Sequence, residues 1–384
     1  MRSVETPRIA ASGARPRHEH ATSAVPSAAN TPQTMYLYIS PNDWSAAEPG
    51  TYTGSISCHY IWIYATNPRL SDEFGSFTIP VTVTVPEPVP AFDGQQLVLN
   101  GQLGMYFYME IPDEYVADST MEFTINDVTT TVRTADAVLQ DDGRYCFLCT
   151  VNALQMADTI TATFRYTDGE ETETISVQTT VERYLNILIT DPDYADAMDA
   201  AKAINDYGYY AQRALHNDVI NHTAMSTAYK NETELIDGAS LISDGYRAAA
   251  HLGGRYVTGA SYSLSATSET ALNLYFKLND SASELEFDIE PYNPFIPEAS
   301  FDYTVKKTGD QYKIQITGIN AVELGTHFNI YVKGEGSTVS VSALSYVLSV
   351  LNSGDVSLEM KYTAAALYAV HQEMCAYLGI SVES

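Results

Sequence analysis

Four aspartates at short spacing are the residues of this chain best suited to bind a metal ion. Asp191, Asp193, Asp196 and Asp199 lie at the start of a stretch with helical periodicity. Carboxylate oxygens are ligands that Ca²⁺ prefers, so Asp191, Asp193 and Asp196 form a candidate calcium site. The spacing lacks the glycine and the terminal glutamate of an EF-hand, and acids at a helix start also cap free amides and stabilise the helix dipole. Both interpretations stand, and we expect no other cofactor.

A row of aromatic residues near the N-terminus is the second candidate site. Tyr60, Trp62 and Tyr64 alternate along a predicted strand and therefore fall on one face of it. Such a row can stack on sugar rings, with an affinity that comes largely from the burial of apolar surface. The alternative is that the row forms the core of the N-terminal unit, because the opposite face carries Ile61 and Ile63.

The sequence contains no motif typical of a catalytic site. No histidine lies beside a G-x-S-x-G turn, and no glycine-rich phosphate-binding motif occurs. Cys146 and Cys149 lie in a strand pattern, where residues three apart face opposite sides, so neither a disulfide nor a shared metal is favoured. His371 falls on a predicted helix, where a packing or a surface role is expected. We therefore expect no enzymatic activity.

The charge of the chain excludes some partners. With 48 acidic and 20 basic residues the net charge is −28, which opposes binding to nucleic acid and anionic lipid. No stretch of about 18 apolar residues predicts a membrane span, and no signal peptide is visible. Residues 1–33 consist largely of Ala, Ser, Pro and Thr with four arginines, and we expect a disordered leader there.

The last three quarters of the chain repeat one pattern in the same order. Leu103–Met109 returns as Leu272–Leu278, and Val181–Leu185 returns as Ala343–Val347. Each copy begins with alternating strand patterns and then changes to a helical period. The predicted helical stretches are Val177–Leu188 and Ala197–Leu215 in the first copy, and Ala343–Leu351 and Met360–Leu378 in the second. Two helices joined by a short loop predict a helical hairpin at the end of each copy.

These patterns predict a mainly β chain with some α, in the α+β class. An N-terminal partial β-sandwich is followed by two homologous antiparallel β-sandwich-like domains, each ending in a helical hairpin. The predicted ranges are 34–86 for the partial sandwich, 94–215 for the first copy, 216–255 for a polar linker and 256–380 for the second copy. Within the linker the residues Asp244–Leu252 predict a weak helix.

Several segments are similar to parts of known surface proteins. Asp158–Ala162, Tyr207–Gln212 and Ala343–Asn352 resemble a repeated module of large secreted or wall-attached proteins of Gram-positive anaerobic bacteria. Trp44–Gly54 resembles the closing strands of an immunoglobulin-like domain in such proteins. The resemblance covers roughly 36–85 and 94–378, and its motifs are structural, so it supplies no catalytic residue.

The resemblance implies an extracellular or cell-wall-associated protein. Glycans and host or cell-wall surface proteins are the partners that it implies. We therefore expect a non-enzymatic role in adhesion, carbohydrate binding or spacing. The alternative is a non-catalytic accessory region of a secreted hydrolase whose catalytic domain lies outside this chain.

Overall fold

The computed structural model describes residues 48–63, 71–99, 101–215, 223–279, 284–297 and 301–381, with the backbone alone over 56–63 and 71–76. The chain divides into two compact units, one that ends at Ala91 and one that starts at Phe92. The ranges predicted for both copies, and for the linker between them, lie in the second unit. The predicted leader, 1–33, lies outside the described residues.

In the first unit the described residues form one β-hairpin. The strands β1 (Gly50–Ile63) and β2 (Ser71–Val85) pair antiparallel along their whole length. Alternation of apolar residues with threonine over 77–85 matches the strand that the sequence predicts there. The remaining parts of the predicted sandwich, 34–47 and 64–70, lie outside the described residues.

The first half of the second unit contains two four-stranded sheets. Their strand orders are β3-β4-β8-β7 and β10-β9-β5-β6. The strands are β3 (Ala91–Val98), β4 (Gly104–Glu110), β5 (Thr120–Ile125), β6 (Val128–Arg133), β7 (Val138–Leu139), β8 (Tyr145–Thr150), β9 (Ile160–Asp168) and β10 (Glu171–Thr179). Alternate residues of these strands form the core, and Met105, Phe107 and Met109 are fully buried.

The second half also contains two four-stranded sheets. Their strand orders are β12-β13-β16-β15 and β11-β18-β17-β14. The strands are β11 (Ala249–His251), β12 (Val257–Ser265), β13 (Ala271–Leu278), β14 (Phe287–Tyr292), β15 (Asp302–Thr308), β16 (Gln311–Thr317), β17 (His327–Val332) and β18 (Ser337–Val341). The sheet β12-β13-β16-β15 has the same strand order as the sheet β3-β4-β8-β7 of the first half. The other shares three strands with its counterpart, but its fourth strand, β11, lies at the opposite edge from β6.

Six α-helices complete the described structure, which is therefore a mixed, α+β fold. They are α1 (Asp113–Val116), α2 (Val181–Thr190), α3 (Met198–Leu215), α4 (Glu232–Ala239), α5 (Ala343–Asn352) and α6 (Leu358–Tyr377). In each predicted hairpin the two helices contact each other, α2 with α3 and α5 with α6. No helix within the described ranges is long and apolar enough to cross a membrane.

The start of α2 corrects the predicted helical stretch. Val177 lies in β10, where it pairs with Ala162 of β9. The helix begins four residues later, at Val181, because the hydroxyl of Thr180 accepts a hydrogen bond from the amide of Arg183 at 2.9 Å. A side-chain cap of this kind satisfies a free amide of the first turn and fixes where a helix starts.

The two halves pack directly on each other. Helix α3 of the first half lies against α6 of the second. The loop between β12 and β13 also binds the first half through backbone groups: the amide of Leu103 donates to the carbonyl of Ser268 at 3.0 Å, and the amide of Thr270 donates to that of Gly101 at 2.8 Å. Tyr207 of α3 donates its hydroxyl proton to the carbonyl of Ala266 at 2.7 Å.

Polar residues of α3 hold the chain segment 223–231 against the helix. Asn205 donates its side-chain amide to the carbonyl of Thr227 at 2.6 Å. The buried carboxylate of Asp206 accepts from the amides of Tyr229, at 2.6 Å, and Lys230, at 3.1 Å. The first described part of the predicted polar linker, 223–231, is thus held against the first half, whereas the helix α4 that follows packs on α6 of the second half.

The weak helix predicted over Asp244–Leu252 is wrong. The structure has a short 3-10 helix, Asp244–Tyr246, followed by the strand β11. Residues Ala249–His251 pair with Thr338–Ser340 at the edge of the sheet, and this non-local pairing overrides the local helical preference.

Candidate ligand-binding pocket

The predicted aromatic row stays a prediction. Tyr60 and Trp62 lie in β1, opposite Gly75 and Asp72 of β2, and the register of the ladder shifts between Tyr60 and Ile61. The side chains of these residues are outside the description, and so is the whole of Tyr64.

One of the three predicted calcium ligands, Asp191, caps a helix. The Asp191 carboxylate accepts a hydrogen bond from the amide of Asp193 at 3.0 Å and so caps the 3-10 helix Pro192–Tyr194. Asp193 and Asp196 are exposed. In the described part of the chain no three His, Cys, Asp or Glu side chains are arranged to hold a metal ion. These aspartates are therefore not brought together as a ligand set.

A cavity of about 180 Å³ in the second half brings together aromatic and titratable residues. It lies where β14 ends, where β17 begins and beside the C-terminal part of α6. The main lining residues are Tyr246, Tyr292, Phe295, His327, His371 and Cys375. The pairing of β14 with β17 places Tyr292 directly opposite His327.

Two aromatic rings at this cavity are open to solvent. Tyr292 is 61% exposed and Phe295 is 39% exposed, so a ligand can reach both rings. The loop that carries Phe295 is held in place by Asn293, whose side-chain oxygen accepts from the amides of Phe295 and Ile296 at 3.0 and 3.2 Å. The side-chain amide of Asn293 also donates to the hydroxyl of Thr326 at 2.9 Å. These hydrogen bonds connect the described segment 293–296 to Thr326, next to the start of β17.

A stacked pair forms another wall of the cavity. The rings of Tyr246 and His327 are nearly parallel, with centroids 6.1 Å apart and an interplanar angle of 6°. Gly325 allows Tyr246 to lie close to the backbone, since a Cβ atom there would be 2.9 Å from the tyrosine ring. Burial lowers the pKa of His327, whose Nδ1 lies 3.3 Å from the hydroxyl of Ser340. This histidine is therefore neutral at physiological pH.

His371 and Cys375 resemble a nucleophile and base pair but lack the chemistry of one. The Nδ1 atom of His371 lies 2.8 Å from the carbonyl of Ala321, to which it must donate, and 3.8 Å from the sulfur of Cys375. Burial raises the pKa of the Cys375 thiol to about 12 and lowers the pKa of His371. Nucleophilic catalysis needs a thiolate and a free base nitrogen. In this arrangement burial favours the protonated thiol, and the ring nitrogen nearest the sulfur donates to the carbonyl of Ala321.

Cys146 and Cys149, which lie three residues apart, are also buried. Burial raises the pKa of both Cys146 and Cys149 to about 12. Both are free thiols, as expected from their spacing on β8.

Sequence reasoning missed the aromatic residues of this pocket. The segment 291–295, Pro-Tyr-Asn-Pro-Phe, places two aromatic residues in a turn, and exposed residues of ordered loops often form binding surfaces. Tyr246 could not be found in this way, because it reaches the cavity from the segment predicted as a linker. Comparison of the chain with known protein families gives no matching family model, and comparison with curated proteins gives no match either.

Proposed function

We propose that this chain is a non-enzymatic extracellular module that binds a sugar ring at the Tyr292 and Phe295 pocket. The observation that carries the proposal is the exposure of two aromatic residues beside a cavity, Tyr292 at the end of β14 and Phe295 three residues later. An aromatic face buries the apolar face of a sugar, while nearby polar groups orient its hydroxyls. The cavity of about 180 Å³ is smaller than the roughly 300–1,000 Å³ typical of small-molecule sites, so it accommodates one ring of a longer glycan.

The arrangement of elements supports the duplication that the sequence predicts. We infer that 94–215 and 256–380 are two homologous copies, each a β-sandwich-like domain that ends in a helical hairpin. Both halves use the order of β3-β4-β8-β7 and β12-β13-β16-β15 in one sheet. In both, the backbone amide before a 3-10 helix donates to the side chain at its third position, from Asn152 to Gln155 and from Asn320 to Glu323.

A location outside the cell fits the composition and the resemblance to wall-attached proteins. A net charge of −28 keeps such a protein soluble and separate from anionic lipid. The same pocket would serve an adhesin, a spacer that contacts wall glycans, or a non-catalytic region of a secreted hydrolase, since each of these uses binding without chemistry.

A glycan array with the full chain tests the proposal, with and without Ca²⁺. We expect saturable binding that Tyr292→Ala weakens roughly tenfold or more, because aromatic anchors dominate such contacts. Tyr303→Ala is the matched control, since Tyr303 is 52% exposed on β15 and does not line the pocket.

The other outcomes are informative as well. Binding lost with Trp62→Ala but kept with Tyr292→Ala would move the site to the N-terminal hairpin. Binding that depends on Ca²⁺ would restore a metal site as a candidate. Absence of binding to every glycan would contradict the carbohydrate proposal and favour a spacer.

A further inference from the structure

The outer face of the sheet β12-β13-β16-β15 carries three lysines. In β13 the even-numbered residues of 272–278 are buried, so Tyr275 and Lys277 point away from the core. In β16 the even-numbered residues of 312–316 are buried, so Lys313 points to the same outer side. This face is separate from the pocket, whose lining residues lie elsewhere.

The strand register brings the lysines close together. Lys306 of β15 lies directly opposite Lys313 of β16, and Lys313 lies opposite Tyr275 of β13. Residues directly opposite have Cβ atoms about 5 Å apart, and diagonal neighbours such as Lys313 and Lys277 are about 7–8 Å apart. We call Lys277, Lys306 and Lys313 the lysine face.

Such a cluster is unexpected in this chain. Like charges directly opposite each other destabilise a sheet, and the chain has 48 acidic residues against 20 basic ones. Elsewhere in the second unit Lys202 pairs with Asp199 and Lys333 with Glu286. The ion pairs found among the described residues include none from the lysine face. The three ammonium groups are therefore left to an external anion.

We propose that the lysine face binds an anionic polysaccharide. The same outer face carries hydroxyl and amide side chains, Thr304 opposite Gln315 and Gln311 opposite Lys277, which suit the hydroxyls of a glycan. A ligand on the lysine face lies closer to the three lysines than to carboxylates elsewhere on the chain, and the interaction energy between charges falls with distance. An anionic polysaccharide also carries its charges farther apart than duplex DNA, which has about one negative charge per 1.7 Å of its axis. Duplex DNA therefore meets stronger repulsion from the acidic chain.

The test measures binding of the full chain to polygalacturonate and heparin at low and high salt, with neutral dextran and duplex DNA for comparison. The variant Lys277→Gln/Lys306→Gln/Lys313→Gln removes the lysine face. The control Lys202→Gln/Lys333→Gln/Lys361→Gln makes the same change of net charge elsewhere on the chain. Far-UV circular dichroism and urea unfolding check that both variants fold.

We expect at least one polyanion to bind at low salt and to bind less well at high salt. The lysine-face variant should weaken that binding roughly tenfold, since three exposed ion pairs, each weak, are lost together. The control variant should bind like the unmodified chain. Equal weakening by both triple variants, equal binding to dextran, or no binding at low salt would overturn the proposal. Tighter binding to duplex DNA than to either polysaccharide would show that the partner class is wrong.

Discussion

Replacing Asp206 with asparagine is expected to change how the stability of the protein depends on pH. Asp206 is buried in α3 and accepts backbone hydrogen bonds from Tyr229 and Lys230. Loss of hydration on burial, with a smaller contribution from the charge of Glu234, raises the pKa of this carboxyl to about 6 from an ordinary 3.8. The two amides and the charge of Lys230 oppose the shift without cancelling it.

The sign of the effect follows from proton binding. Because the folded pKa of Asp206 is higher than the unfolded one, the folded protein binds more protons between pH 3.8 and about 6. The contribution of Asp206 to the free energy of unfolding therefore falls as pH rises through that window and is constant above it. The full difference corresponds to about 3 kcal/mol, and about 1.4 kcal/mol of it lies between about pH 5 and pH 7.5.

The assay is urea unfolding of the full chain and of Asp206→Asn over this pH range. The asparagine variant does not titrate at this position, so its stability relative to the unmodified chain should increase by about 1.4 kcal/mol from pH 5 to pH 7.5. Asp199→Asn is the control, because it removes the same charge from an exposed part of the same helix.

Two results would refute the reasoning. Parallel curves for the unmodified chain and Asp206→Asn would mean that burial does not perturb the carboxyl. A relative loss of stability by the variant as pH rises would mean that the two amide hydrogen bonds, which favour the charged form, outweigh the loss of hydration.

Two further predictions concern packing, and urea unfolding measures both. Tyr184→Ala should lower the free energy of unfolding by roughly 3–5 kcal/mol, because Tyr184 is buried. Tyr346→Ala should lower it by about 1–2 kcal/mol, because Tyr346 is only partly buried. Equal losses would contradict this difference in burial. Gly101→Ala should destabilise the contact between the halves by more than about 1 kcal/mol, since the new Cβ would lie 2.7 Å from the Cα of Gly318 and Gly101 has a φ of +74°. Gly143→Ala is the control for backbone strain alone, because Gly143 has a φ of +85° and a Cβ atom there would have no other atom within 4 Å. An equal loss of stability in both variants would exclude a role for the close approach of Gly101 to Gly318.

Elements with a local signal could be predicted from the sequence. The alternation of Met105, Phe107 and Met109 identifies β4 and its buried face, because a strand repeats every two residues. The helices α3, α5 and α6 begin and end close to the predicted residues, since apolar residues at a helical period extend over many turns. The apolar pattern places Val177 in a helix because strand and helix periods overlap where one element follows the other. The cap at Thr180 decides where the helix begins.

The contacts that join the halves could not be predicted in this way. The loop between β12 and β13 binds the first half mostly through backbone groups, which leave no side-chain pattern. The segment 223–231 looks polar and irregular, yet Asn205 and Asp206 hold it by hydrogen bonds to its backbone. A polar residue on a helix is compatible with an exposed position or with such a contact, and only the fold distinguishes the two.

The pocket follows from a difference between two similar halves. In each half the long helix donates a side-chain hydrogen bond to a carbonyl of the neighbouring 3-10 helix, from Gln212 to Leu154 at 2.8 Å and from His371 to Ala321 at 2.8 Å.

In the first half the place beside that contact is filled. The amide of Met225 donates to the oxygen of Gln212 at 2.8 Å, and Met225 is buried in the core. In the second half Ile380 and Ser381, which follow α6, line the cavity together with His371. Beside the cavity of the second half Tyr292 and Phe295 are exposed. On the proposal that the halves are duplicated copies, the buried Met225 favours a supporting role for the first copy, and the exposed Tyr292 favours a binding role for the second.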